Sequence, residues 1–148
     1  MTGADALLLG AHLTATAGMV GLIWFVQVVH YPLFDRVGAD RFTEYERSHQ
    51  RRTSFVVGPL MGAEALTAFW ILLAPPGDLG RPLPIVGVVL LGVIHLSTIT
   101  LQVPAHERLA RGHDPAVIRR LVRTNWIRTL GWTTRGAVAV AMLVVAAG

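Results

Sequence analysis

The sequence predicts an all-α fold: a bundle of four transmembrane helices, made of two similar helical hairpins, with both termini outside. Three observations predict it. The chain is 53% hydrophobic and 15% charged, with a mean hydropathy of +0.53, and its apolar residues fall in long runs. Arginine is concentrated in two of the three connections between those runs. Two of the runs also close on nearly the same polar phrase.

The first run, Ala6 to Val29, contains only His12 and Gln27 as strongly polar groups. Its leader, Met-Thr-Gly-Ala-Asp, lacks a basic segment, so the run is expected to stay as span one (6–31) instead of being cleaved as a signal peptide. Pro32 is expected to mark its inner end. The connection 35–52 carries Arg36, Arg41, Arg47, Arg51 and Arg52, and the segment Asp40 to Arg52 reads as a helix capped at Asp40 that runs into span two. Span two (53–74) holds one strongly polar group inside its apolar run, Glu64, and Gly58-Pro59 predicts a kink.

Pro75-Pro76-Gly77-Asp78 makes the short outer loop. Span three (83–103) contains His95 and Gln102, and Pro104 is expected to end it. The connection 104–125 carries Arg108, Arg111, Arg119, Arg120 and Arg123, and Asp114-Pro115 is a good N-cap and N1 pair for a helix continuing into span four (126–147). A membrane helix needs about 20 residues, so four spans use nearly the whole chain as one domain, 1–148. The Arg asymmetry places both rich connections in the cytoplasm of a bacterium, the protein in its inner membrane and the termini outside. The +4 charge then reflects topology, and no nucleic-acid partner is expected. The lipid bilayer is the expected surrounding, with a homo-oligomer or larger membrane complex as further partners.

There is no cysteine and no lysine, which excludes thiolate metal sites, disulfides and lysine Schiff-base chemistry. What remains is a repeated polar phrase. Gln27-Val28-Val29-His30 closes span one, and Gln102-Val103-Pro104-Ala105-His106 closes span three. Nineteen residues after His30 stands His49, followed by Arg52-Thr53; nineteen after His106 stands Asn125, followed by Arg128-Thr129. Helical spacing puts His95, Ile99, Gln102 and His106 in one stripe, and Asn125, Arg128, Trp132 and Arg135 in another. Gln27, His30, His49, Gln102, His106, Asn125 and Arg128 are expected near the inner interface, with Glu64, His95 and Arg135 deeper.

Polar groups inside a membrane face the bundle interior and find partners. Glu64 and Arg135 match in depth and are expected to pair, with Arg128 as a competitor for the carboxylate. Gln27 and Gln102 are expected to join helices by hydrogen bonds. His12 reads as an isolated satisfied histidine and His113 as a solvated turn residue. Imidazole and carboxylate suit a transition-metal ion such as zinc, iron or copper, with His30, His49 and His106 as ligands and Glu64 and His95 as catalytic groups. Glu46-Arg47-Ser48-His49 has the Glu-x-x-His step of di-iron bundles, but its repeat has Val122 and Asn125 there, which disfavours such a centre. A b-type heme between His30 and His106, its propionates on Arg52 and Arg128, is a neighbouring option. A third is a pocket for an anionic or quinone-like ligand from the inner leaflet, bound by Gln27, Arg52, Gln102, Asn125, Arg128 and Arg135.

The strings Trp24 to Phe34 (W-F-V-Q-V-V-H-Y-P-L-F) and His49-Gln50-Arg51-Arg52, with Val57-Gly58-Pro59 and Glu64, resemble a group of uncharacterised bacterial four-span membrane proteins. Gln102 to His106 and Asn125-Trp126-Ile127-Arg128-Thr129 extend the resemblance over nearly the whole chain. In its four-helix plan with a Tyr-Pro after span one, the chain is also similar to the anthrone-oxygenase-like family, whose name implies cofactor-poor oxygenation of polyketides. That similarity is of plan and carries no activity over. The expected function is binding of a metal ion or small ligand in a polar pocket on the cytoplasmic side, with metal- or heme-dependent redox chemistry if it is an enzyme. The alternatives are a structural or accessory subunit of a membrane complex and a small oligomeric transporter.

Overall fold

The computed structural model describes residues 1–148. The chain forms four long helices and no strand: α1 (Gly3–Arg36), α2 (Phe42–Leu73), α3 (Pro82–Leu109) and α4 (Pro115–Ala147), each long and apolar enough to cross a membrane. Thr2 and Asp5 open α1 with a reciprocal capping box. Asp114 caps α4 by accepting from the backbone N–H groups of Ala116 and Val117, with Pro115 at the first helical position. The expected cap at Asp40 does not form. α2 starts one residue later, with Arg41 at the cap position and no side-chain cap.

Pro32 and Pro104 do not end their helices. Each follows a π turn, Val26–His30 in α1 and Thr98–Gln102 in α3, and helical structure continues beyond it. The physical reason lies in proline itself. It has no N–H for the carbonyl four residues back, and its ring crowds that carbonyl, so the preceding turn widens. Tyr31 N–H therefore reaches Val26 O, and Val103 N–H reaches Thr98 O. Pro59, by contrast, lies within one uninterrupted helix.

α4 packs along α1 and α3, and α1 packs along α2, while α2 and α3 meet more loosely. The larger core cluster runs from Met19, Ile23 and Ile94 to Phe34, Phe42, Leu109 and Leu121, and includes Trp132. Outward faces carry Leu7, Phe55, Leu66, Trp70, Leu96 and Val144 in exposed positions. Most of each apolar window faces outward, so lipid is the solvent these faces fit and the chain is a multi-pass membrane protein.

Glycine sets the closest approach of α3 to α4. A Cβ at Gly131 would stand 2.7 Å from Ile94 Cγ1, and Ile94 is fully buried. Gly131→Ala is expected to cost about 1–3 kcal/mol by overpacking this seam. Thermal unfolding of the purified protein measures it, and an unchanged melting temperature would show that the helices simply move apart.

Candidate functional site

Two polar networks sit at different depths. The deeper one centres on Glu64, which is fully buried. Arg135 Nε donates to Glu64 Oε1 at 2.8 Å, Thr16 Oγ1 donates to the same oxygen at 3.1 Å, and Trp132 Nε1 donates to Oε2 at 2.9 Å. A second Arg135 nitrogen donates to the Gly87 carbonyl. The expected Glu64–Arg135 pair is present, and its partners come from all four helices. His12 is satisfied as expected: its Nδ1 shares a 2.8 Å hydrogen bond with Thr67 Oγ1, one turn from Glu64 on α2.

The second network lies at the Arg-rich end. Gln27 Nε2 donates to the Val122 carbonyl, and Gln27 Oε1 accepts from Asn125 Nδ2 at 2.9 Å and Thr129 Oγ1 at 3.2 Å. Asn125 Oδ1 accepts from Arg128 at 3.1 Å, and the guanidinium stacks 5.2 Å over the Trp132 ring. Gln102 Nε2 donates to Thr124 Oγ1. These bonds tie α1 and α3 to α4, as expected of both glutamines. The α4 stripe holds in full, since Asn125, Arg128, Trp132 and Arg135 are all buried.

The α3 stripe does not hold. Ile99 is 65% exposed while Gln102 is buried. The π turn adds a residue to the helical cycle and rotates the rest of α3, so four-three-four spacing no longer marks one face. His95, before the π turn, bonds its own helix through the Leu91 carbonyl and makes no hydrogen bond to Glu64. Arg52 is exposed, bonded to Ser48, and does not join the Gln27 network. His113 packs edge-on against Phe42 at 4.9 Å instead of standing in solvent.

His30, His49 and His106 are brought together, but as a series and not around a point. His30 Nε2 and His49 Nδ1 share a 2.8 Å hydrogen bond, and Thr53 Oγ1 bonds the same His49 nitrogen. The His49 and His106 rings lie 5.4 Å apart. The buried Phe34 ring packs among them, 5.1 Å from His30 and from His49 and 6.3 Å from His106. No group of three or more His, Cys, Asp or Glu side chains is disposed to hold a metal ion. The donor set does not fit a mononuclear metal. Nor does it fit a heme between His30 and His106, because both nitrogens of His106 and one of His30 are taken up by protein partners.

Those His106 partners include residues outside the expected site. Glu46 is fully buried on α2, and its Oε1 accepts from His106 Nδ1 at 2.6 Å and from Gln50 Nε2 at 3.0 Å. Gln50 also donates to the His106 backbone carbonyl, which fixes the carboxylate against α3. On the other side of the ring, Tyr31 hydroxyl and His106 Nε2 are 2.9 Å apart. A carboxylate only accepts, so Nδ1 carries the proton of the neutral ring and Tyr31 donates to Nε2. Glu46 had a signal in its Glu-x-x-His step; Tyr31 had only its place beside Pro32.

Two cavities flank this cluster, and His49 and Thr53 line both. One of about 510 Å³ lies between α1 and α2, walled by Leu22, Phe25, Val26 and Val56 with His30 and Arg52. The other, about 370 Å³, lies between α2 and α3 and is lined by Tyr31, His106, Gln102 and Arg128 at its polar end. Its rim includes Ser54, Gly58 and Val103, all exposed, so it opens sideways. Two of the lining residues, Arg128 and Gln102, each keep one buried atom, Nε and Oε1, without a hydrogen-bond partner. Compared with known protein families, curated proteins and solved structures, the chain matches none.

Proposed function

We propose that this chain is a small-ligand-binding protein of a bacterial inner membrane, with its Arg-rich end cytoplasmic and its termini outside. The ligand is amphipathic and enters from the bilayer into the cavity between α2 and α3. The observation that carries this is the open cavity itself, about 370 Å³, whose lining brings Tyr31, His106, Gln102 and Arg128 together with Val57, Gly58 and Val103. Small-ligand sites combine apolar walls with a few convergent polar side chains, and this lining has both. Arg128 takes an oxygen acceptor, Gln102 takes a donor, and the apolar tail lies along Val57, Gly58 and Val103. The matched π–proline turns support a chain built from two related hairpins.

Native mass spectrometry of protein extracted from its membrane tests the proposal. A small molecule of defined mass is expected on the native chain and not on Gly58→Phe. No atom lies within 4 Å of a Cβ at Gly58, so the substitution fills the groove without a clash at the backbone. An empty native chain, or the same retained mass on Gly58→Phe, overturns it.

A further inference from the structure

We infer that Glu46, His106 and Tyr31 are a proton relay opening on the α2–α3 cavity, which makes the pocket a general-base site for an amphipathic ligand with a phenol-like hydroxyl. The inference rests on the binding proposal above and names the ligand's chemistry.

The three residues stand in line, with 2.6 Å from Glu46 to His106 and 2.9 Å from His106 to Tyr31. They come from α2, α3 and α1, and the series runs from a fully buried carboxylate to Tyr31, one of the residues lining the cavity. A carboxylate that holds an imidazole, which in turn accepts from a hydroxyl, is the arrangement that draws a proton off an oxygen. Structural need does not account for all of it. Glu46 Oε2 is buried with no partner, so the carboxylate keeps an unused acceptor site. Arg128 lines the same cavity and brings a cation to it, the charge that favours an oxyanion.

The step balances within the site. The ligand O–H bond breaks and its proton joins the Tyr31 oxygen, while the Tyr31 proton passes to His106 Nε2. His106 becomes an imidazolium held by the Glu46 carboxylate, and the ligand becomes an oxyanion beside Arg128. No electron moves. The other titratable groups lining the cavity are His49 and Glu107; neither is hydrogen-bonded to Tyr31 or His106. A carboxylic acid ionises at neutral pH without help, and an aliphatic alcohol is too weak an acid for an imidazole to deprotonate. A phenol, with a pKa of about 10, lies in the range where such a base with a paired cation changes the outcome.

An octyl-substituted nitrophenol serves as the probe, because its ionised form is coloured and its neutral form is not. Full-length protein in lipid nanodiscs is equilibrated with it below the pH at which the free probe ionises, against empty nanodiscs. Equilibrium dialysis gives the amount bound, and absorbance gives the ionised share per bound molecule. The native protein is expected to show the coloured form. In Glu46→Gln and Tyr31→Phe that share is expected to fall about ten-fold or more, the effect of one pKa unit of base strength. Thermal melts identify a variant that fails to fold, and either folded variant decides the matter. Bound but colourless probe on the native protein overturns the relay and leaves the pocket standing. Colour that persists in folded Glu46→Gln or Tyr31→Phe also overturns the relay. No saturable binding, or binding unaffected by Gly58→Phe, overturns the pocket and the relay with it.

Discussion

Glu64→Ala is expected to be the most damaging single substitution in this protein. It removes the acceptor of three buried donors at once: Arg135 Nε, Trp132 Nε1 and Thr16 Oγ1. Arg135 then remains as a buried cation with only the Gly87 carbonyl for company. Breaking a buried pair from one side costs about 3–5 kcal/mol, a large share of the margin by which most folds are stable. Loss here also acts on every helix, since the node draws partners from α1, α2, α3 and α4. The companion double variant, Glu64→Leu with Arg135→Met, removes both charges together. It is expected to be far more stable than Glu64→Ala, because no uncompensated ion is left. Thermal and denaturant unfolding in one detergent compare the three proteins. A double variant no better than the single one would show that the pair's hydrogen bonds, not its charge balance, hold the node.

Arg128→Met is expected to have the largest effect on ligand binding. A charge-assisted hydrogen bond contributes about 1.5–3 kcal/mol, so affinity for the nitrophenol probe should fall roughly ten- to hundred-fold. Methionine keeps much of the aliphatic bulk over Trp132, which Arg128 now covers. Arg128→Lys keeps the charge but presents a point donor without the guanidinium fork, and is expected to recover only part of the affinity. Equilibrium dialysis in nanodiscs measures all three. Equal affinity in the native and Arg128→Met proteins would remove Arg128 from the binding site.

The parts legible in the sequence are those governed by unbroken α-helical phase and by the cost of polar groups in lipid. Four apolar runs became four helices. Asn125, Arg128, Trp132 and Arg135 share a buried face because α4 is continuous from Pro115 to Ala147. Glu64 and Arg135 found each other because neither has water to turn to. What failed turns on two prolines. Pro32 and Pro104 read as helix ends, yet each is absorbed by a π turn, and the shift in phase turned Ile99 outward and broke the stripe from His95 to His106. The continuation past Pro32 also buries Phe34 among the imidazoles, so the three histidines stand around an apolar ring. Glu46 stood out by its Glu-x-x-His step, but that step does not repeat at Val122 and Asn125, and only folding shows the carboxylate turned inward onto His106.

The loose α2–α3 seam has a consequence for how occupancy is reckoned. On the proposed function the pocket's mouth faces acyl chains and samples the membrane, not the cytosol, so the quantity that fills it is the ligand's mole fraction in lipid. Each methylene favours the bilayer by about 0.8 kcal/mol, so an octyl tail alone enriches a molecule there by four orders of magnitude or so. A modest intrinsic affinity then suffices for saturation at trace aqueous levels. The rate of loading is set by lateral diffusion in two dimensions, and dilution of the surrounding buffer leaves a filled site almost untouched.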